Sequence, residues 1–113
     1  MYFVTPNLPP IPDDSQITGV ISVGGTGDDS LEGSTAIDKL SGGSGSDTLQ
    51  GLEGDDWLIG DADNDHLLGD GGADYLSGDL GRDTLEAGDG DDSVTGGSGN
   101  DFVYGEAGND LLF

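Results

Sequence analysis

The sequence predicts an all-β repeat protein, and three observations predict it. From Gly24 to Phe113 the chain divides into ten consecutive units of nine residues in one register, with no insertion. The sixth place of the unit is Asp in all ten, and the eighth is always aliphatic, Leu in eight units and Val94 and Val103 in the others. Glycine fills the first place in nine units and the fourth in eight. A fixed short period marks a repeat architecture, in which each unit buries its apolar side only against its neighbours.

Each place in the unit has a physical reading. Glycine at places one, two and four permits positive φ and close backbone approach, so the first six residues can form a tight loop with inward carbonyls. Places seven to nine are long enough only for a short strand. Side chains alternate along it, so place eight faces one way and places seven and nine the other. The aliphatic eighth place is therefore the interior. The aspartate at place six adds a carboxylate to a loop of carbonyls, the all-oxygen donor set that a hard cation of calcium's size prefers. One loop cannot supply six or more ligands, so an ion needs two neighbouring loops.

The units GGTGDDSLE (24–32), GGSGSDTLQ (42–50) and GGSGNDFVY (96–104) carry the pattern GGxGxDxUx, with U a large aliphatic residue. This pattern is a recognised calcium-binding signature, and residues 24–113 resemble the RTX (hemolysin-type) calcium-binding nonapeptide repeat. The resemblance implies a right-handed parallel β-roll, a two-sheet solenoid of about five coils with eighteen residues per coil. Odd units build one sheet and even units the other. Asp29, Asp47, Asp65, Asp83 and Asp101 then line one edge, and Asp38, Asp56, Asp74, Asp92 and Asp110 the other. An ion between each adjacent pair gives at most eight Ca2+. The family pattern further implies ligation by these carboxylates and by backbone oxygens of the first four places. Those backbone positions include Gly25, Gly27, Gly43, Gly45, Gly54, Asp61, Asp63, Asp70, Gly72, Asp79, Gly81, Gly88, Gly90, Gly97 and Gly99. Side chains elsewhere in the loop, such as Asp28 and Asn100, are expected to be outer groups or to face solvent.

Composition agrees with a metal-dependent fold. The formal charge is −22, with 24 acidic residues against two Lys and Arg, and 23 of the 113 residues are Gly. Such a charge argues against nucleic acid and anionic membrane as partners. High charge with few large apolar residues marks a chain that does not fold unaided. Eight divalent ions would reduce −22 to about −6, so ion binding and folding are expected to be one event. There is no Cys, which excludes disulfides and thiolate metal sites. No apolar run is long enough to span a membrane.

Taken from the N-terminus, residues 1–16 read as a Pro-rich leader, with Pro6, Pro9, Pro10 and Pro12 opposing helix. They show neither a basic n-region nor an apolar h-region. The family's usual export by the type I route, and a secreted, extracellular location, are what the resemblance implies. Residues 17–23, ITGVISV, read as a β-branched strand that either leads into the roll and covers its end or, equally, is the last strand of an upstream domain. It falls outside the nonapeptide register, because Val20 would take the sixth place and Ser22 the eighth. Together with the ten repeats it makes the second region, 17–113.

Unit two (GSTAIDKLS, 33–41) has Ala36 and Ile37 where a flexible loop is wanted, so the site between units two and four is the first expected to be weak or empty. Unit five contains Asp61-x-Asp63-x-Asp65, like the start of an EF-hand loop. That loop needs Gly where His66 stands and Glu where Gly72 stands, so the nine-residue register explains these aspartates better. His66, the only histidine, faces outward without a Cys partner and is not read as a zinc or catalytic residue. No catalytic signature is present. A catalytic role is expected, if at all, in a parent protein such as a metalloprotease, lipase or epimerase. Apolar residues at the outward places, Trp57, Ile59, Leu68, Tyr75, Phe102, Tyr104, Leu111 and Phe113, admit two readings: a stacked ladder, or a docking face for a flanking domain, a cap or a second copy. An adhesive surface module is the corresponding third function.

Overall fold

The computed structural model of the chain describes residues 15–113; residues 1–14, and with them most of the Pro-rich leader, lie outside the described residues. Eleven short strands carry the described chain: β1 (Ile21–Thr26), β2 (Ser30–Glu32), β3 (Lys39–Ser44), β4 (Thr48–Gln50), β5 (Trp57–Ala62), β6 (His66–Gly71), β7 (Tyr75–Ser77), β8 (Thr84–Asp89), β9 (Ser93–Thr95), β10 (Phe102–Tyr104) and β11 (Leu111–Leu112). From β2 onward each begins at place seven of a unit, where the loop ends. The longer ones continue into the first residues of the next unit.

The strands alternate between two parallel sheets. One runs β1-β3-β5-β7-β9-β11 and the other β10-β8-β6-β4-β2. Every pairing joins residues eighteen apart, as in Lys39 with Trp57, Trp57 with Tyr75, and Leu49 with Leu67. The molecule is therefore a β-solenoid of about five coils, two units to a coil, as the resemblance implies.

The core is the eighth place and little else. Leu40, Leu49, Leu58, Leu67, Leu76, Leu85 and Val94 are fully buried between the sheets. Val20, Leu31 and Val103 pack on the ends of this column and are partly buried. Most outward positions are less covered, but Trp57, Ser77 and Ser93 on the six-stranded sheet are buried. Trp57 is only 8% exposed, and its ring lies 4.2 Å from that of Tyr75 at 32°. For this pair the ladder reading of the outward aromatics applies. Phe102, Tyr104, Leu112 and Phe113, on the last coil, are at least half exposed.

The leading segment differs from expectation in detail. Strand begins at Ile21, not at residue 17, and it does take the repeat register: Ser22 pairs with Leu40, at the eighth place. Its apolar residues Ile21 and Val23 consequently point outward and are 53% and 69% exposed. Backbone hydrogen bonding to β3 imposes this register, and only Val20 is left to pack on the core.

Candidate metal centre

The ten aspartates of place six stand at the loop-to-strand junction, and the fold stacks them in two columns. Within each column a backbone amide donates to the carboxylate one coil on. Asp29 N–H bonds Asp47 Oδ1 at 2.8 Å, Asp47 bonds Asp65 at 2.8 Å and Asp65 bonds Asp83 at 2.8 Å. On the other edge Asp38 bonds Asp56 at 2.9 Å, Asp56 bonds Asp74 at 2.8 Å and Asp74 bonds Asp92 at 2.7 Å. The bonds from Asp83 to Asp101 and from Asp92 to Asp110 complete both columns. The carbonyls of the eight aspartates from Asp29 to Asp92 are used as well, each accepting a strand amide of the next coil, as Asp56 O does from Tyr75 N. Place six thus joins three coils, which gives the invariance of Asp there a structural cause.

The second carboxylate oxygen is a different matter. Oδ2 of Asp29, Asp47, Asp56, Asp65, Asp74, Asp83 and Asp92 is buried and has no hydrogen-bond partner. It lies against the place-one residue of its own loop. A Cβ placed on Gly24 would stand 2.6 Å from Asp29 Oδ2, and one on Gly69 would stand 2.6 Å from Asp74 Oδ2. Glycine at place one is therefore the room that the carboxylate occupies. Ala87, the single exception, is fully buried.

An unpaired buried carboxylate oxygen is costly, and the described residues hold seven. Burial, the largest influence, raises Asp74 to about 9, Asp56 and Asp65 to about 7, and Asp83 and Asp92 to about 6. The amide bond from the preceding coil pulls each back down, and stacked carboxylates push each up again. A divalent cation between coils would remove both penalties. The orphaned oxygens therefore fit the all-oxygen chemistry of calcium. No group of three or more His, Cys, Asp or Glu side chains converges on a point among the described residues. Most of a coordination shell would consequently have to come from backbone carbonyls. His66 is not near such a role: its Nε2 meets Glu86 Oε2 at 2.5 Å on the outer face of the five-stranded sheet.

The loops carry the required backbone shape. All fifteen turn positions singled out from the sequence have positive φ, from Gly25 at 99° and Asp61 at 78° to Gly99 at 128°. So do Leu52 at 76° and Glu106 at 67°, which carry no glycine signal. At place four the carbonyls of Gly27, Gly54 and Gly72 lie beneath the α-carbons of Gly45, Gly72 and Gly90, close enough that an added Cβ there would overlap them. The side chains of the aspartates at place two turn elsewhere. Asp61 Oδ2 accepts from Ser41 Oγ, Asp70 Oδ2 from Gln50 Nε2 and Asp79 Oδ1 from Ser77 Oγ. One oxygen of each of these carboxylates is thus taken up by a neighbouring side chain.

Unit two is the loop that departs. Neither Ser34 nor Ala36 has positive φ. Another group was missed at place five. Asp28, Asp55, Asn64 and Asp91 each accept, through Oδ1, the place-five amide of the next coil, from Ser46, Ala73, Arg82 and Asn109. Asp28 is thus a rung between coils and not merely a solvated group. The recurrence of Asp or Asn at place five was the available signal.

The family model for the RTX calcium-binding nonapeptide repeat matches the chain in four copies, over residues 23–56, 41–76, 50–85 and 77–112. No curated protein and no solved structure matches. The matched family is a calcium-binding repeat and not a catalytic family. Family match, coil geometry and buried oxygen columns agree: this chain belongs to the RTX calcium-binding nonapeptide repeat family, and it is a calcium-binding β-roll.

Proposed function

We propose that the chain is a folding switch: a module that stays unstructured where calcium is scarce and closes into the roll when calcium enters its loops outside the cell. The observation that carries this reading is the set of seven buried, partnerless Oδ2 atoms on the column aspartates. A folded chain without cations keeps those oxygens desolvated and in repulsion with their neighbours, at a net charge of −22. Ions between adjacent coils, at most eight, would be held by the place-six carboxylates and the loop carbonyls. They would supply the positive charge that the single column of Leu and Val cannot replace. Secretion follows from the same reasoning, since extracellular fluid is the calcium-rich compartment. It also accords with a family found typically in exported proteins, the type I route being the one the resemblance implies.

Circular dichroism with EDTA and with millimolar Ca2+ tests the reading. The expected result is a coil spectrum in chelator and a β spectrum in calcium, reversible between the two. A β spectrum already complete in EDTA and unchanged by calcium would sink it.

A further inference from the structure

Among the column aspartates from Asp29 to Asp92, Asp38 alone has a hydrogen-bonded Oδ2. Ser34 N–H donates to Asp38 Oδ2 at 2.6 Å, and Ser34 Oγ donates to Asp38 Oδ1 at 2.8 Å. The amide of Val20 donates to Oδ1 as well, at 2.5 Å. The other seven buried Oδ2 atoms have no donor at all.

The backbone explains the difference. In the other nine units place two has positive φ, whether the residue is Gly, Asp, Leu or Glu. Ser34 does not, and its amide closes a turn onto the carboxylate four residues on, a local bond that Ser and Asp favour. The same loop is tied to the leading segment. Thr18 N and Gly19 N both donate to Ile37 O, and Ile37 N donates to Thr18 Oγ1. Ala36 N in turn donates to Ser34 Oγ. Every exceptional feature of unit two is accounted for by this latch.

From these contacts we infer that unit two is a metal-free turn in which Ser34 does for Asp38 what a cation does for the other column aspartates. The gap between Asp38 and Asp56 takes no calcium, and the roll binds seven ions, four on the edge of Asp29 and three on the edge of Asp56. The inference rests on the calcium-switch reading and refines it: the first coil is closed by hydrogen bonds alone, while the coils above it depend on the metal.

Native mass spectrometry and equilibrium dialysis with 45Ca2+ give the stoichiometry of the full chain. The double variant Ser34→Gly/Ala36→Gly restores the consensus loop and removes the latch. The expected result is one more calcium ion in the variant than in the wild type. Equal numbers would overturn the inference and leave the calcium switch standing. A wild type that binds none would overturn both. If the variant does not fold, a wild-type crystal grown in calcium decides by anomalous scattering. Density in every column gap except that between Asp38 and Asp56 supports the latch, and an ion in that gap refutes it.

Discussion

The backbone amide of Asp56 lies 2.8 Å from Oδ1 of Asp74, eighteen residues on, while Oδ2 of the same Asp74 is buried without a partner. One carboxylate thus does two jobs, and substitutions can separate them. Asp74→Asn keeps an acceptor for the amide and removes the charge. It should weaken calcium binding at the gaps on both sides, raising the calcium midpoint of folding on the order of tenfold, the equivalent of about 1.4 kcal/mol. Asp74→Ala removes the acceptor too and should cost a further 1–3 kcal/mol or so, from the stranded Asp56 amide. Calcium titrations followed by circular dichroism compare the three chains, and equal midpoints for Asn and wild type would refute the role given to Oδ2.

Acid and calcium should act in opposite directions. Asp56, Asp65, Asp74, Asp83 and Asp92 are raised by burial from 3.8 to between about 6 and about 9. In the metal-free roll they hold protons that the unfolded chain has already released. The metal-free fold is therefore most stable below about pH 4, and it loses that stability as pH rises through the window up to about 9. Calcium needs the deprotonated carboxylates, so its affinity should rise over the same range. In EDTA, circular dichroism should show whatever β structure forms near pH 4 disappearing as pH rises towards 8, while thermal melts in calcium should show a rising midpoint over the same range.

Backbone strain makes two loops a matched pair of tests. Leu52 is held at φ 76°, a conformation that costs a non-Gly residue about 1–2 kcal/mol. Leu52→Gly should stabilise the calcium form by roughly 0.5–1 kcal/mol, after the greater freedom of Gly in the unfolded chain is allowed for. Gly72→Ala should do the reverse and by more, because φ is 116° and the new Cβ would overlap the Gly54 carbonyl. Urea melts in saturating calcium measure both.

The eighth-place residues of the two sheets make up nearly all of the core, so it offers little room to repack. Leu67→Ala, at a fully buried position, should cost about 2–5 kcal/mol. A loss well under 1 kcal/mol would show that the column is not the core.

Trp57 supplies a built-in reporter. It is the only tryptophan, it is 8% exposed and it stacks on Tyr75. Its emission should shift to the blue as calcium is added, with the same midpoint as the circular dichroism signal. Two distinct midpoints would mean that the roll does not close as one unit.

Much was legible in the residues because a loop's shape is a local matter. Glycine at places one, two and four, Asp at six and Leu or Val at eight determined the loops, the inward face and the two columns of aspartates. The departure of unit two from the common loop could likewise be read from Ala36, which lacks the positive φ of the other fourth places. What the tertiary structure decided lies in contacts between residues eighteen apart, which exist only once coils stack. Stacking assigned Oδ1 of the column aspartates from Asp38 to Asp110 to an amide of the preceding coil, and it left Oδ2 of seven column aspartates buried without a partner. It turned Asp28, Asp55, Asn64 and Asp91 into rungs, and it drew Ser22 into the eighth place while Ile21 and Val23 faced out. It also placed Ser34 on Asp38, because a residue at place two without positive φ directs its amide back at its own loop's carboxylate. A single unit, read alone, has no neighbour against which any of these choices could be made.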